Sequence, residues 1–528
     1  VGPAIFQHSY VTLEAVFMPL ASESVTTIQP QSRWPLCALA LGVLVVIAVR
    51  IGIQSVTIDE ADTYVYWASG KYHPAWFPHS NNHLLNSYLI WLFTRLFGLN
   101  NFSLRLPAFL GAVLYLSAAY RFCISFIEGL ALRLPLYGCF ILTPFVLDFF
   151  VAARGYSLAL GFYTAAIVAI CQLFQERPTA RRHLLVRLAL VSVCMALSFA
   201  ANFSFAFVIA ISLALFLLIW IVLERSSSTI YTQLAAALLP GSLLVAALCG
   251  WTLLHWPKGQ LVVGASTFRE IWEAFTLFTF SDPNPHVLPP FLFRTFRHWR
   301  KALPWVFIAV CVLNVVYAIA RRTRWRTRLS GIYLSLVICL TLFVHWLAFH
   351  YAGLLMPKDR TSIFFVPLCL MIFGTAAGFQ RPDLVGRTLR LATIAILVVG
   401  CAYFIGCLRF RYFLLWRFDA DAEETYRQLV RIVGPGHHVD VPCEYAYTSA
   451  LNFYREYFHD DSFGFFWLED NPQDAAAAHF RPYPLNQPVY VLRLPEDAQF
   501  LAEQRLKVAY RGAVSTVVIA VKPSHPGP

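Results

Sequence analysis

Apolar runs recur from residue 34 to residue 408, each close to the roughly 20 residues needed to cross a hydrocarbon core, with only short stretches carrying Arg, Pro or Asp between them. A chain patterned in this way has the bilayer for its solvent. Composition agrees, since 58% of the 528 residues are hydrophobic and 13% charged, with a mean hydropathy of +0.59. The runs fall near 34–53, 105–127, 132–148, 155–174, 186–202, 203–223, 232–254, 302–320, 330–350, 361–379 and 389–408, so about eleven membrane helices are expected.

The net charge of +12 does not point to nucleic acid, because the arginines sit in short loops between apolar runs, where they set topology. Most of the 12 cysteines lie inside those runs, among them Cys37, Cys139, Cys171, Cys249, Cys311, Cys339 and Cys401, with Cys443 in the polar tail. They read as small packing residues and not as an exported disulfide framework.

The basic loops 176–187 and 321–328 are expected in the cytoplasm, which puts residues 1–33 there as an extension. Residues 34–408 form the membrane domain. The same count places the loop 54–104, the turn at Asp148 to Arg154, the loop 255–301 and the link ending at Arg360 outside. Residues 409–528 also fall outside. Their composition turns polar, with a helix-like run at 419–433 and strand-like runs at 489–494 and 515–521, the pattern of a small soluble α/β domain.

The first outer loop gathers Asp59, Glu60 and Asp62 just beyond the first membrane helix. Clustered acids repel one another unless a cation, a proton or a basic partner relieves them. The loop continues with His73, His79 and His83, and if the chain is helical from Ser80 onward, His79 and His83 lie one turn apart. Two imidazoles so placed serve as metal ligands with Asp59 or Glu60, as a proton-transfer site, or as structural residues. Residues 84–97 suit a helix lying in the membrane interface.

These residues resemble the GT-C glycosyltransferases, specifically the bacterial group of lipid A aminoarabinose transferases and protein mannosyltransferase-like enzymes. The resemblance is carried by the acidic pair Asp59–Glu60, by LFGLNNFSLRLPAFLGAVLYLSAAYRF and by VAARGYSLALGFY, and it covers about residues 55–165. It implies a polyprenyl-phosphate-linked sugar as donor, inversion at the anomeric carbon and an acidic catalytic residue, Asp59, with Glu60 beside it. The acceptor is a lipid, a glycan or a protein, and the site faces outward from an inner or plasma membrane. Two departures separate this chain from the aminoarabinose transferase: Asn81, Asn82 and His83 stand where a Glu-Lys-Pro motif is usual, and Leu160 stands where an Asp is usual. A divalent metal therefore does not carry over with the resemblance.

Other polar residues sit at outer helix ends. Asp148 and Arg154 form either a structural ion pair or part of the active cavity, with Tyr156 on the same turn. Lys358 and Arg360 lie in a very short outer link, where they either hold the donor phosphate or snorkel to the interface. Arg294, Arg297, His298 and Arg300 are simplest as contacts to anionic lipid head groups.

A good leaving group such as polyprenyl phosphate leaves two tasks: a base for the acceptor hydroxyl, assigned to Asp59, and cations for the phosphate, assigned to Arg360 with Arg154 and Lys358 behind it. A transporter would place its ionisable residues mid-helix, whereas here they gather at helix ends. A lipid-linked glycan ligase or polymerase stays open within the enzyme class.

Overall fold

A computed structural model describes residues 33–523 except 226, 258, 260–262, 321–324, 379, 381–382, 435–438 and 467–482. Residues 1–32 and the first half of the basic loop 321–328 thus lie outside the described residues. The protein is mostly helical, with ten helices long and apolar enough to cross a membrane among the described residues, from Trp34–Ile53 to Leu384–Gly406. It is an integral multi-pass membrane protein.

The third expected run, 132–148, is broken. Thr143 leaves helical geometry and Pro144, which has no N–H to give, starts a new turn, so this run splits into Leu130–Leu142 and Pro144–Phe149. The break lies just ahead of Asp148 and Arg154 in the chain. Two membrane helices meet at very close range nearby. A Cβ on Gly111 would lie 2.5 Å from the backbone of Leu158, so Asn101–Phe126 and Tyr156–Gln175 pack backbone to backbone, tied by Ser157 Oγ donating to the Ala108 carbonyl at 2.6 Å.

Beyond the last membrane helix the chain forms Ala422–Val433, Tyr445–Tyr457 and a three-stranded antiparallel sheet. Strand β1 (Val489–Arg493) pairs with β3 (Val517–Val521), which pairs with β2 (Lys507–Arg511), giving the order β1-β3-β2. This C-terminal part shares a core with the loop that follows the first membrane helix. Val56, Ala61 and Val65 pack with Tyr447, Leu451 and Tyr454 in one buried cluster.

Candidate functional site

The segment that carries the acids is fixed from four directions. Thr57 and Glu60 form a capping box, Glu60 N–H donating to Thr57 Oγ1 at 3.2 Å and Thr57 N–H donating to Glu60 Oε2 at 2.9 Å, which starts the short helix Ile58–Asp62. Arg105, fully buried, donates to both Glu60 oxygens at 2.8 and 2.9 Å and to the carbonyls of Ile51, Gln54 and Ser55. All its donors are used, and one side chain therefore ties the open end of the first membrane helix to the acidic turn. From the C-terminal part, Tyr454 OH accepts from Val56 N–H and Asp419 accepts from Ile58 N–H, both at 2.8 Å. A π-helical turn, Thr63–Ala68, follows directly.

This bracing leaves Asp59 pointing at cations. Arg360, from the short link before Phe365–Ala377, forms an ion pair with Asp59 Oδ2, and the Trp416 indole donates to the same oxygen at 3.1 Å. Arg154, fully buried, donates to the Asp59 carbonyl at 2.9 Å and to Thr63 Oγ1 at 2.7 Å, and reaches Asn81 Oδ1 as well. Its neighbour Gly155 permits that placement, since a Cβ there would meet the Ala201 carbonyl oxygen at 1.8 Å. Burial alone would raise the Asp59 carboxyl, but the guanidiniums of Arg360 and Arg154 outweigh it and hold the group well below the ordinary carboxylate range. Asp62, one turn on, is the opposite case: burial pushes it up to about 7 against a hydrogen bond from Ser449, and the charge of Asp59 adds to the rise.

The structure thus brings Asp59, Arg154 and Arg360 together and sorts the other expected residues elsewhere. Glu60 is saturated by Arg105, Thr57 N–H and the Ala153 N–H at 2.7 Å, so it shapes the site without facing it. Asp148 does not join Arg154. It pairs with Arg50 at 2.6 Å and accepts from Leu414 N–H at 2.9 Å, which makes it a structural tie between the first membrane helix and the start of the C-terminal part. Asn82 spends its side chain on the Ala75 and Phe77 carbonyls and on Ser87, holding the loop's shape. Tyr156 packs its ring against His83, with centroids 5.2 Å apart. Lys358 lies 3.9 Å from Glu270 of the amphipathic helix Phe268–Thr279.

The histidines do not form the expected ligand set with the acids. Among the described residues no group of three His, Cys, Asp or Glu side chains suits a metal ion. The chemistry of the donors explains why: two guanidiniums already supply the positive charge beside Asp59, and His79 Nδ1 accepts from Asn81 N–H at 3.1 Å. Burial first, then Arg154, holds His79 near 4 and His83 well below its usual value, so both stay neutral at physiological pH. Neutral imidazole is the ligating form, so it is the lack of a third ligand among the described residues, and not protonation, that leaves the two histidines without a metal site here.

A cavity of about 580 Å³ opens beside the Arg360 link, lined by Trp272, Trp305, Arg300, Lys301, Lys358 and Asp359. It joins aromatic and basic side chains near one end of the membrane helices. Sequence reasoning missed Trp416, Arg105 and Asp419. Each acts through a partner that lies far away in the chain, and no local spacing announces such a role.

No protein-family model matches the chain, and no curated protein matches it in sequence. Solved structures do match in fold. ArnT from Cupriavidus metallidurans bound to undecaprenyl phosphate aligns with TM-score 0.54 at 12% identity, covering 94% of this chain and 100% of that one. The archaeal oligosaccharyltransferase AglB from Archaeoglobus fulgidus, in complex with an inhibitory peptide and a dolichol-phosphate, aligns at 0.45 and 12% identity over 89% of this chain and 70% of that one. Arabinosyltransferase EmbB from Mycobacterium smegmatis aligns at 0.41 and 13% over 68% of this chain and 32% of that one. The first alignment, over nearly all of this chain and all of that one, shows that the fold is the GT-C fold expected from the residues.

Proposed function

We propose that the chain is a glycosyltransferase that moves a sugar from a polyprenyl-phosphate carrier to a lipid, glycan or protein acceptor, with its reaction centre on the extracytoplasmic side of an inner or plasma membrane. The observation that carries this reading is the ion pair between Asp59 and Arg360, backed by Arg154, at the outer end of the membrane helices of a GT-C fold. A carboxylate that must take a proton and a guanidinium that must take a phosphate are both present, and each holds the other in its charged form until substrates arrive.

In this reading the donor phosphate enters from the membrane surface by way of the cavity at Trp272, Trp305 and Lys358, and Arg360 turns to it. Asp59 then loses its strongest partner and its proton affinity rises. The acceptor oxygen attacks the anomeric carbon as its proton passes to Asp59. The bond from that carbon to the phosphate oxygen breaks with its electron pair, and polyprenyl phosphate leaves with inverted configuration at the sugar. Glu60 and Asn82 act as positioning residues, Lys358 as a further cation for the phosphate, and Tyr156 and the neutral His79 and His83 as walls. A divalent ion has no role in this scheme. ArnT was solved with undecaprenyl phosphate, which supports a carrier of that class.

The test is to incubate the purified protein in lipid with a panel of polyprenyl-phosphate-linked sugars and follow polyprenyl phosphate released by the wild type and by Asp59→Asn. Release that depends on Asp59 and on an added acceptor supports the reading. Carrier moved across vesicles with its sugar still attached would replace it with a transporter.

A further inference from the structure

The opposite ends of the membrane helices carry a second cavity. The helix Trp34–Ile53 has 20 residues, which at 1.5 Å per residue sets Arg33 roughly 30 Å from the end that leads to Asp59. There a groove of about 800 Å³ opens between this helix, the later turns of Asn101–Phe126, the last turns of Tyr156–Gln175 and the start of Arg181–Ala201. Its inner wall is apolar, formed by Leu41, Leu44, Val113 and Leu116. Its mouth is basic, with Arg33, Arg121 and Arg187 against a single carboxylate, Glu176, an excess of two positive charges (three minus one).

Among the described residues, none of these three guanidiniums donates to a carboxylate or a carbonyl, and the charges of Arg121 and Arg187 repel each other. Arginines that simply snorkel would diverge, each to its own water or head group. These converge on one groove from three helices. A like-charged set beside apolar walls is relieved by an anion, and a groove that runs on along Leu41, Leu44 and Val113 suits an anion with a hydrocarbon chain attached.

We propose that this groove is a binding site for a phospholipid with an anionic phosphate head group, drawn from the leaflet opposite the reaction centre. The phosphate sits between Arg121 and Arg187, and an acyl chain lies along Leu41, Leu44 and Val113. Bound there, the lipid bridges three helices that descend directly from the residues around Asp59, and it holds them in register.

Native mass spectrometry of the full chain, delipidated in detergent and titrated with phosphatidylglycerol or phosphatidylcholine, tests this. The expected result is at least tenfold tighter retention of phosphatidylglycerol, lost in Arg121→Gln/Arg187→Gln and kept in Arg181→Gln/Arg182→Gln, whose arginines are exposed on the same membrane face outside the groove. Should the double variant not fold, Arg187→Gln alone, at an exposed position, is expected to lose about half of that preference on a logarithmic scale. Equal retention of the two lipids, or equal loss in the control pair, overturns the proposal. So does displacement of phosphatidylglycerol by inorganic phosphate, which marks a plain anion site, or by a lower concentration of undecaprenyl phosphate, which marks a carrier site.

Discussion

Trp416 donates its indole N–H to the Asp59 oxygen that Arg360 also reaches, across 357 residues of sequence. A carboxylate oxygen accepts two such donors at once, and a neutral and a cationic donor on one atom fix the direction of the group more tightly than either alone. The orientation of Asp59 is therefore set jointly by the link before Phe365–Ala377 and by the segment that follows the last membrane helix.

Asp59→Asn is expected to lower turnover about 100- to 10,000-fold, the usual worth of a general base. It also leaves Arg360 and Arg154 without their anion, at a cost on the order of 3 kcal/mol of stability. Turnover per folded molecule, with a thermal melt of the same sample, separates the two effects; unchanged turnover removes Asp59 from the chemistry.

Arg360→Ala is expected to weaken use of the polyprenyl-phosphate sugar roughly ten- to a hundredfold, the equivalent of about 1.5 to 3 kcal/mol for one charge-assisted contact. Arg360→Lys recovers part of this, since an ammonium lacks the forked geometry. Donor titrations that match the wild type in both variants would move the phosphate site to Arg154 or to the 294–300 segment.

Glu60→Gln is expected to act on stability. Its pair with Arg105 is fully buried on both sides, so removing the charge costs about 3 to 5 kcal/mol. The melting temperature drops while the surviving folded protein keeps donor dependence; the reverse pattern would make Glu60 a reacting group.

Asp62 predicts a pH effect of definite sign. Its carboxyl stands at about 7 in the folded protein against an ordinary 3.8, so between these values the folded state binds the extra proton. That favourable contribution is complete below the lower value and is lost as pH rises through the higher one. Asp62→Asn is accordingly expected to gain stability relative to the wild type as pH rises from about 4 to about 7, read from melting curves in detergent. Parallel curves would show that Asp62 titrates normally.

Chelation is expected to leave transfer intact, because the charge beside Asp59 is supplied by arginine. Activity lost in a chelator and restored by a divalent ion would contradict the assignment of His79 and His83 as neutral wall residues.

The membrane helices were legible because hydrophobic length is a local property. The expected run 34–53 is the helix Trp34–Ile53, and 155–174 differs by one residue at each end from Tyr156–Gln175. The split at Thr143–Pro144 was not seen, since an apolar run continues across it in composition. Strand β2 was missed for a similar reason: Lys507–Arg511 is short and half exposed, with too little apolar content to stand out. Within the site, Asp59, Arg154 and Arg360 were readable as charges at helix ends, where charge is costly. The partnerships were not, because Arg50 could as well have snorkelled as found Asp148, and nothing in the spacing of Glu60 points to Arg105.

The bonds from Trp416, Asp419 and Tyr454 to Asp59, Ile58 and Val56 also set a timetable. During synthesis the acidic turn emerges early, and its clamps are made roughly 360 to 400 residues later, matching the sequence separations of 357, 361 and 398. A half-made chain in the membrane carries the carboxylate but not the geometry. The geometry around Asp59 is thus complete only once residues 416–454 have been made and folded onto the loop, and a chain that stops after its last membrane helix lacks it.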